Sequence, residues 1–176
     1  MIAMTALSMH ELSKGRFTLG LGVSGPQVVE GLHGVTYEAP LTRLKETVEI
    51  VRLAFKGEKL FYKGKRHALP KPGGEGKAIR LDFPPTDIPI FLATLAPKSL
   101  EYTGASADGW LGTSFSPDYA DAHLAHIREG ARVAGRSIHE IELHVACPVA
   151  IGERVEQMID ARRYGVAFSM GAMGSR

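Results

Sequence analysis

The chain has 176 residues, 44% of them hydrophobic and 23% charged, with a formal net charge of +2. That length allows one domain with a sizeable core, and the composition is too apolar for a disordered chain. The small charge, with no basic stripe, argues against nucleic acid as a partner. Cys147 has no second cysteine to pair with, which suits a reducing compartment. No apolar run approaches the ~20 residues of a membrane helix. Thr5, Ser8, His10 and Glu11 come early and no basic segment precedes them, so the start does not read as a secretion signal. The expectation is a soluble, cytoplasmic protein.

Ile2 to Leu12 is rich in Met, Ala, Leu and Glu, good helix formers, and stops at Ser13-Lys14-Gly15 with Gly15 as the C-terminal cap. Phe17–Val23 follows, an apolar run bounded by glycine and proline and too short for a buried helix, hence a strand. Gly20 and Gly22 leave room for a backbone or a ligand. Ser24-Gly25 then offers backbone N–H groups at the strand's carboxyl end, where α/β proteins bind ligands. A helix is predicted over 41–55, with Leu44, Val48, Val51 and Phe55 on its buried side and Arg43, Lys45, Glu46, Glu49 and Arg52 on its wet face. Lys59–Leu69 reads as a hairpin centred on Lys63-Gly64-Lys65, and Pro70 to Pro85 as loop.

Ile88–Leu95 is an apolar strand, and Pro97 starts a helix that runs to Ala107. Asp108-Gly109 turns the chain into strand Trp110–Phe115. Ser116-Pro117 then reads as a helix start, with serine as N-cap and Ala120, Leu124, Ile127, Ala131 and Ala134 as the buried stripe, ended by Gly135. Ile141–Ile151 alternates, placing Ile141, Leu143, Val145, Cys147, Val149 and Ile151 on one face and Glu142 and His144 on the other. A helix from Glu153 to Tyr164 comes last. Alternating strands and helices imply a parallel sheet with right-handed crossovers, either part of a barrel or open and doubly wound.

Several residues carry possible chemistry. Leu95-Ala96-Pro97-Lys98 sets the N–H groups of a helix start beside a strand end, an arrangement that attracts anions through free donors and the helix dipole. Ala96 is small enough for a phosphate to touch backbone, and Lys98 adds charge. The plainer reading is a strand-to-helix joint. Gly22-Val23-Ser24-Gly25 is a second contact segment or a turn kept small for packing. Glu142 and His144 form an acid–base pair or, more simply, a satisfied polar layer. His123 and His126 have metal-like spacing. Asp118, Asp121 and Glu129 beside them favour a solvated helix face, and no metal site is predicted. His33 touches substrate or stabilises its loop. Six lysines and two arginines from Lys56 to Arg80, against Glu58 and Glu75, steer an anionic ligand or form a solvated hairpin.

Glu11-Leu12-Ser13-Lys14-Gly15-Arg16-Phe17, followed by Leu19-Gly20-Leu21-Gly22, resembles the LS.GRF.LGLG signature of luciferase-like flavin and deazaflavin oxidoreductases. Gly25-Pro26-Gln27-Val28-Val29-Glu30-Gly31 and Pro40-Leu41-Thr42-Arg43 resemble the branch that uses coenzyme F420. Ile88-Pro89-Ile90-Phe91-Leu92-Ala93, Pro97-Lys98 and Ala107-Asp108-Gly109-Trp110 match further on. The resemblance implies an α/β fold of TIM (β/α)₈ type, present only in part. It would be a single domain over 1–176, from helix 3 to helix 7 of the barrel, with about four parallel strand–helix units and an insertion at about 56–87. A full barrel needs ~250 residues.

The same resemblance implies hydride transfer between coenzyme F420 and a small organic substrate in a homodimer. Gly22, Val23, Ser24, Gly25, Leu95, Ala96, Pro97 and Lys98 would hold the cofactor. An FMN-dependent monooxygenase of the same superfamily is the alternative enzyme, and a silent half-barrel that self-associates through open strand edges is the alternative without activity. No catalytic acid or base is assigned. Where sugar-phosphate-oxidising relatives carry an acidic glutamate, this chain has Ser24, Gly25 and Pro26.

Overall fold

A computed structural model describes residues 1–113, 115–147 and 149–173. Helix α1 (Ile2–Leu12) leads to strand β1 (Leu19–Gly22), the single-turn helix α2 (Pro26–Val29) and helix α3 (Pro40–Phe55). The two-residue strands β2 (Tyr62–Lys63) and β3 (Ala68–Leu69) form a hairpin. Then follow β4 (Ile90–Ala93), α4 (Pro97–Ser106), β5 (Gly109–Gly112), α5 (Asp121–Val133), β6 (Glu142–Val145) and α6 (Val155–Met173). Gly15 at φ 81 and Gly135 at φ 71 close α1 and α5 in the left-handed region that only glycine occupies freely.

The sheet has four parallel strands in the order β1-β4-β5-β6. Its register sorts the strand residues into two faces. Leu19, Ile90, Leu92 and Trp110 point to the helices. The first three pack with Leu44, Val48, Val51 and Phe55 of α3 and Ala6 and Leu7 of α1. Trp110 packs with Leu100 of α4 and with Ile127 and Ala131 of α5. Each fully buried Leu or Ile here contributes roughly 1.5–3 kcal/mol.

The other face carries Gly20, Gly22, Phe91, Ala93, Gly109, Leu111, Glu142 and His144, and no described helix covers it. A doubly wound sheet has helices on both faces, whereas a barrel wall has them on one. The architecture is therefore an open arc of a (β/α)₈-type barrel.

The strands are shorter than the apolar runs suggested. Four parallel residues are all that β6 can pair, because its neighbour β5 ends at Gly112. Past Ala146, whose N–H reaches the Gly112 carbonyl at 3.5 Å, the described part of the alternation predicted to Ile151 pairs with no strand, and Val149 and Ile151 are exposed. Pro148 and Ser114, both inside predicted strands, lie outside the described residues.

Ser116 does not cap a helix with its side chain. A 3-10 turn at Pro117–Tyr119 intervenes before α5, and Ala134 at its end is exposed. The last helix runs to Met173 rather than stopping at Tyr164, and its described side chains are nearly all exposed.

Glu46, expected on the wet face of α3, is buried at 5% exposure. The hairpin turn wraps its carboxylate. Oε1 accepts from the Lys65 N–H at 2.6 Å and Oε2 from the Arg66 and His67 N–H groups at 3.0 and 2.7 Å, while the His67 ring nitrogen Nδ1 lies 3.0 Å from Oε2. A Cβ on Gly64 would stand 2.5 Å from the carboxyl carbon. Burial alone would raise the Glu46 pKa, but these donors outweigh it and hold the group below its ordinary value.

Candidate functional site

Parallel pairing of β1 with β4 sets Gly22 beside Ala93, so the loops that follow these residues leave the sheet at adjacent points on its carboxyl edge. The two segments singled out from sequence, Gly22–Gly25 and Leu95–Lys98, are thereby neighbours. The close approach is visible at Gly22, where an added Cβ would meet both the Cβ and the carbonyl oxygen of Ala93 at 3.4 Å. Ser24 adopts φ 54, a left-handed conformation costing a non-glycine residue about 1–2 kcal/mol. Its carbonyl accepts the Tyr37 hydroxyl at 3.1 Å, which ties the loop to the segment before α3.

At the second segment the Ala96 carbonyl receives the Ser99 and Leu100 N–H groups, each at 2.9 Å, and the Ser99 hydroxyl at 2.7 Å. That carbonyl therefore fixes the start of α4. Pro97 has no N–H, and the amides of Ala96 and Lys98 have no acceptor among the described residues. Leu95, Ala96, Pro97 and Lys98 are all exposed, and Lys98 enters no ion pair among the described residues. Two unclaimed amides, the start of the α4 dipole and a lysine without an ion pair among the described residues belong to the same strand-to-helix joint, a donor set that suits a phosphate.

A buried network holds this rim from below, and sequence reasoning missed it. The Trp110 indole N–H donates to the Thr94 carbonyl at 2.9 Å, immediately before the loop. The Thr94 and Thr103 hydroxyls lie 2.7 Å apart, and Thr103 donates to the Ser99 carbonyl at 2.9 Å. Thr94, Thr103 and Trp110 are almost wholly buried, so the loop's start is anchored where water cannot compete. The available signal was Trp110 itself, whose indole needs a partner once it lies in a core.

Asp108, two residues past the end of α4, works at the opposite edge of the sheet. Its Oδ2 accepts from Arg52 at 3.0 Å and from the Ile90 N–H at 2.8 Å, and its N–H donates to the Ile90 carbonyl at 2.9 Å. It clamps the carboxyl-terminal end of α3 to the amino-terminal ends of β4 and β5, a stabilising position in barrels rather than a catalytic one.

The remaining candidates fall elsewhere. Glu142 and His144 do meet, with Nε2 2.6 Å from Oε1, on the uncovered face. His123 is not on a solvated face. Its ring packs 5.3 Å from Trp110 and 6.5 Å from Phe115, while His126 lies 3.6 Å from Glu101. Among the described residues no group of three or more His, Cys, Asp or Glu is placed to hold a metal. His33 is exposed in the turn after α2. The basic stretch from Lys56 to Arg80 contains the hairpin docked on the outer helix α3, where Arg66 pairs with Glu38 at 2.7 Å. A recess of about 200 Å³ beside Gly22 and Val23 is lined mainly by apolar groups, with Glu38 and Arg43 among the lining residues. No described helix is long and apolar enough to cross a membrane.

The sequence profile of the luciferase-like monooxygenase family matches residues 1–174. A Mycobacterium tuberculosis protein named as a coenzyme F420-dependent oxidoreductase is 36% identical over 98% of this chain and 52% of its own length. The 5,10-methylenetetrahydromethanopterin reductase of Methanolobus tindarius is 32% identical over 92% of this chain and 47% of its own. The chain thus spans about half the length of these relatives. Among solved structures, the coenzyme F420-dependent tetrahydromethanopterin reductase from Methanopyrus kandleri superposes with a TM-score of 0.79 at 26% identity, over 99% of this chain and 53% of that one.

Proposed function

Because the chain belongs to the luciferase-like monooxygenase family, we propose that the protein carrying it transfers a hydride between coenzyme F420 and a small organic substrate. The observation that carries this reading is the meeting of Gly22–Gly25 and Leu95–Lys98 on one rim, with the amides of Ala96 and Lys98 unclaimed. Those amides and the Lys98 ammonium would hold the cofactor's phosphate, and the side-chain-free backbone at Gly22 would let the ring system approach. The cofactor, when bound, supplies the two-electron hydride chemistry. The protein's part is to anchor, orient and exclude water. A relative 36% identical to this chain is named for F420, and so is the solved Methanopyrus kandleri reductase at 26% identity. A solved neighbour named for modified FMN shares 17% identity, which supports the fold alone and leaves the flavin reading second.

A single domain over 1–176 with an insertion at about 56–87, in a cytoplasmic homodimer, completes the reading. It is supported by the lone, exposed thiol of Cys147 and by exposed apolar side chains on β6 and α6. The small net charge leaves nucleic acid without a footprint.

Titration with F420 and, separately, with FMN, followed by ring fluorescence, tests the proposal. Saturable binding of F420, tighter than that of FMN, is expected. Ala96→Glu places a carboxylate at the helix start, where the dipole favours it by about 0.3–1 kcal/mol. The fold is kept while a phosphate is repelled, and a loss of at least about tenfold in F420 affinity should follow. Absence of saturable F420 binding to the parent chain would overturn the assignment.

A further inference from the structure

The uncovered face of the sheet carries an ionisable pair to which the cofactor contacts give no role. Glu142 and His144 share that face with Gly20, Phe91, Ala93 and Leu111, none of which titrates. Among the described strands, the pair alone supplies acid–base chemistry there. His144 Nε2 lies 2.6 Å from Glu142 Oε1. An ionised carboxylate only accepts, so with Glu142 ionised and the ring neutral this contact puts the proton on Nε2 and leaves the Nδ1 lone pair open. Nδ1 has no partner among the described residues.

The ring is also held from the side. Phe91 meets it edge-on, with centroids 5.2 Å apart and planes at 72°. Phe91 belongs to β4 and His144 to β6, so the phenyl ring must cross β5 to make this contact. Gly109 permits it, since a Cβ there would stand 2.6 Å from the Phe91 ring. An imidazole with one nitrogen fixed by a carboxylate and the other left open is the arrangement of an oriented general base.

The register places this base at the right height. Gly22 pairs with Ala93, and Leu111 with His144. One further step of the β4–β5 register sets Ala93 beside Leu111. The four residues form one row just beneath the rim of Gly22–Gly25 and Leu95–Lys98. At ~4.8 Å per strand, His144 lies about 10 Å from β4 and about 14 Å from β1. A flat fused-ring ligand anchored at the β1–β4 rim and lying across the sheet reaches it.

We propose that His144 is the acid–base residue of this site, oriented by Glu142, and that the substrate loses a proton together with its hydride. The class is an alcohol in the oxidising direction and the matching carbonyl in the reducing one. This rests on the F420 reading above. In oxidation the hydroxyl proton passes to Nδ1 and the O–H electron pair becomes the second C–O bond. The adjacent C–H bond breaks with its pair leaving as hydride to the oxidised deazaflavin, and Glu142 balances the charge left on the imidazolium. In reduction Nδ1 returns the proton to the carbonyl oxygen.

Nitrogen-15 NMR of histidine-labelled chain tests this without turnover. The His144 signals, assigned by their disappearance in His144→Gln, are expected to show the neutral ring protonated at Nε2. Glu142→Gln, which removes the charged acceptor, should mix the two tautomers. Both side chains are more than half exposed, so both variants keep the fold. Saturation with F420 should move the His144 signals and leave those of exposed His139 in place. F420 affinity should stay within about twofold of the parent in His144→Gln. Binding with no response at His144, or a neutral ring protonated at Nδ1 in the parent, overturns this inference and leaves the cofactor reading standing. Absence of F420 binding overturns the cofactor reading and this inference with it.

Discussion

Two glycines decide how closely the second half of the protein packs. Gly104 of α4 faces the Ile127 carbonyl of α5, and Gly130 of α5 faces the Glu101 carbonyl of α4, so the helices touch backbone to backbone. A methyl group at either position has no space to occupy. Gly104→Ala or Gly130→Ala gains up to ~1 kcal/mol of helix propensity but must push the helices apart, costing ~1–3 kcal/mol or more. Both variants should melt lower than the parent in thermal denaturation, and an unchanged melting temperature would show that the pair can separate freely.

Glu46 makes a prediction about pH at the same scale. Its pKa is lower in the folded chain than the ordinary 4.5, so its contribution to stability is full above that value and is lost as pH falls through the folded one. Melting temperature should therefore drop below about pH 4.5, and Glu46→Gln should lower it at neutral pH while flattening the acid limb. An acid limb as steep in the variant as in the parent would assign the loss to other carboxylates. Neither device was legible in the sequence. Glu46 sits among charged residues at helical spacing, and only the hairpin folding back over α3 turns it into a buried acceptor. The strand at Trp110 and the strand-to-helix joint at Ala96-Pro97, by contrast, were readable from the apolar run and the proline, although the partner of the Trp110 indole was not.

At the scale of elements, helix positions were legible because apolar spacing and proline carry most of the information. Leu44, Val48, Val51 and Phe55 are all buried as the period demands. Strand lengths were not, because a parallel strand extends only as far as its neighbour pairs with it, and no local pattern in Ile141–Ile151 encodes the end of β5. The amino-terminal end of α3 shows a further conflict between residue and element. Ala39 is its N-cap, held at φ 46 with no side-chain bond to the helix. Glycine has no steric penalty there and is a better N-cap than alanine. Ala39→Gly should raise stability by about 1 kcal/mol, read as a higher denaturant midpoint with the same slope. A lower midpoint would mean that the gain is lost to added freedom of the unfolded chain.

At the scale of the whole molecule, the carboxyl-terminal elements leave a run of large apolar side chains exposed. The helix-facing side chains of β6, Leu143 and Val145, are 41% and 39% exposed, where their counterparts Ile90, Leu92 and Trp110 are fully covered. Among the described residues β6 pairs on one side only, and Val155, Ile159, Tyr164 and Phe168 of α6 are exposed as well. An unprotected strand edge beside an apolar face favours association with another β-strand or helix. Gel filtration of the chain over a range of concentrations should therefore show self-association, accompanied by binding of a hydrophobic dye. Replacing Leu143 and Val145 together with lysine puts charge on that edge. Because neither residue is buried, the variant should keep the parent's melting temperature while its dye binding and concentration dependence fall. A parent chain that elutes as a monomer at every concentration and binds no dye would show that β6 and α6 cover each other in solution.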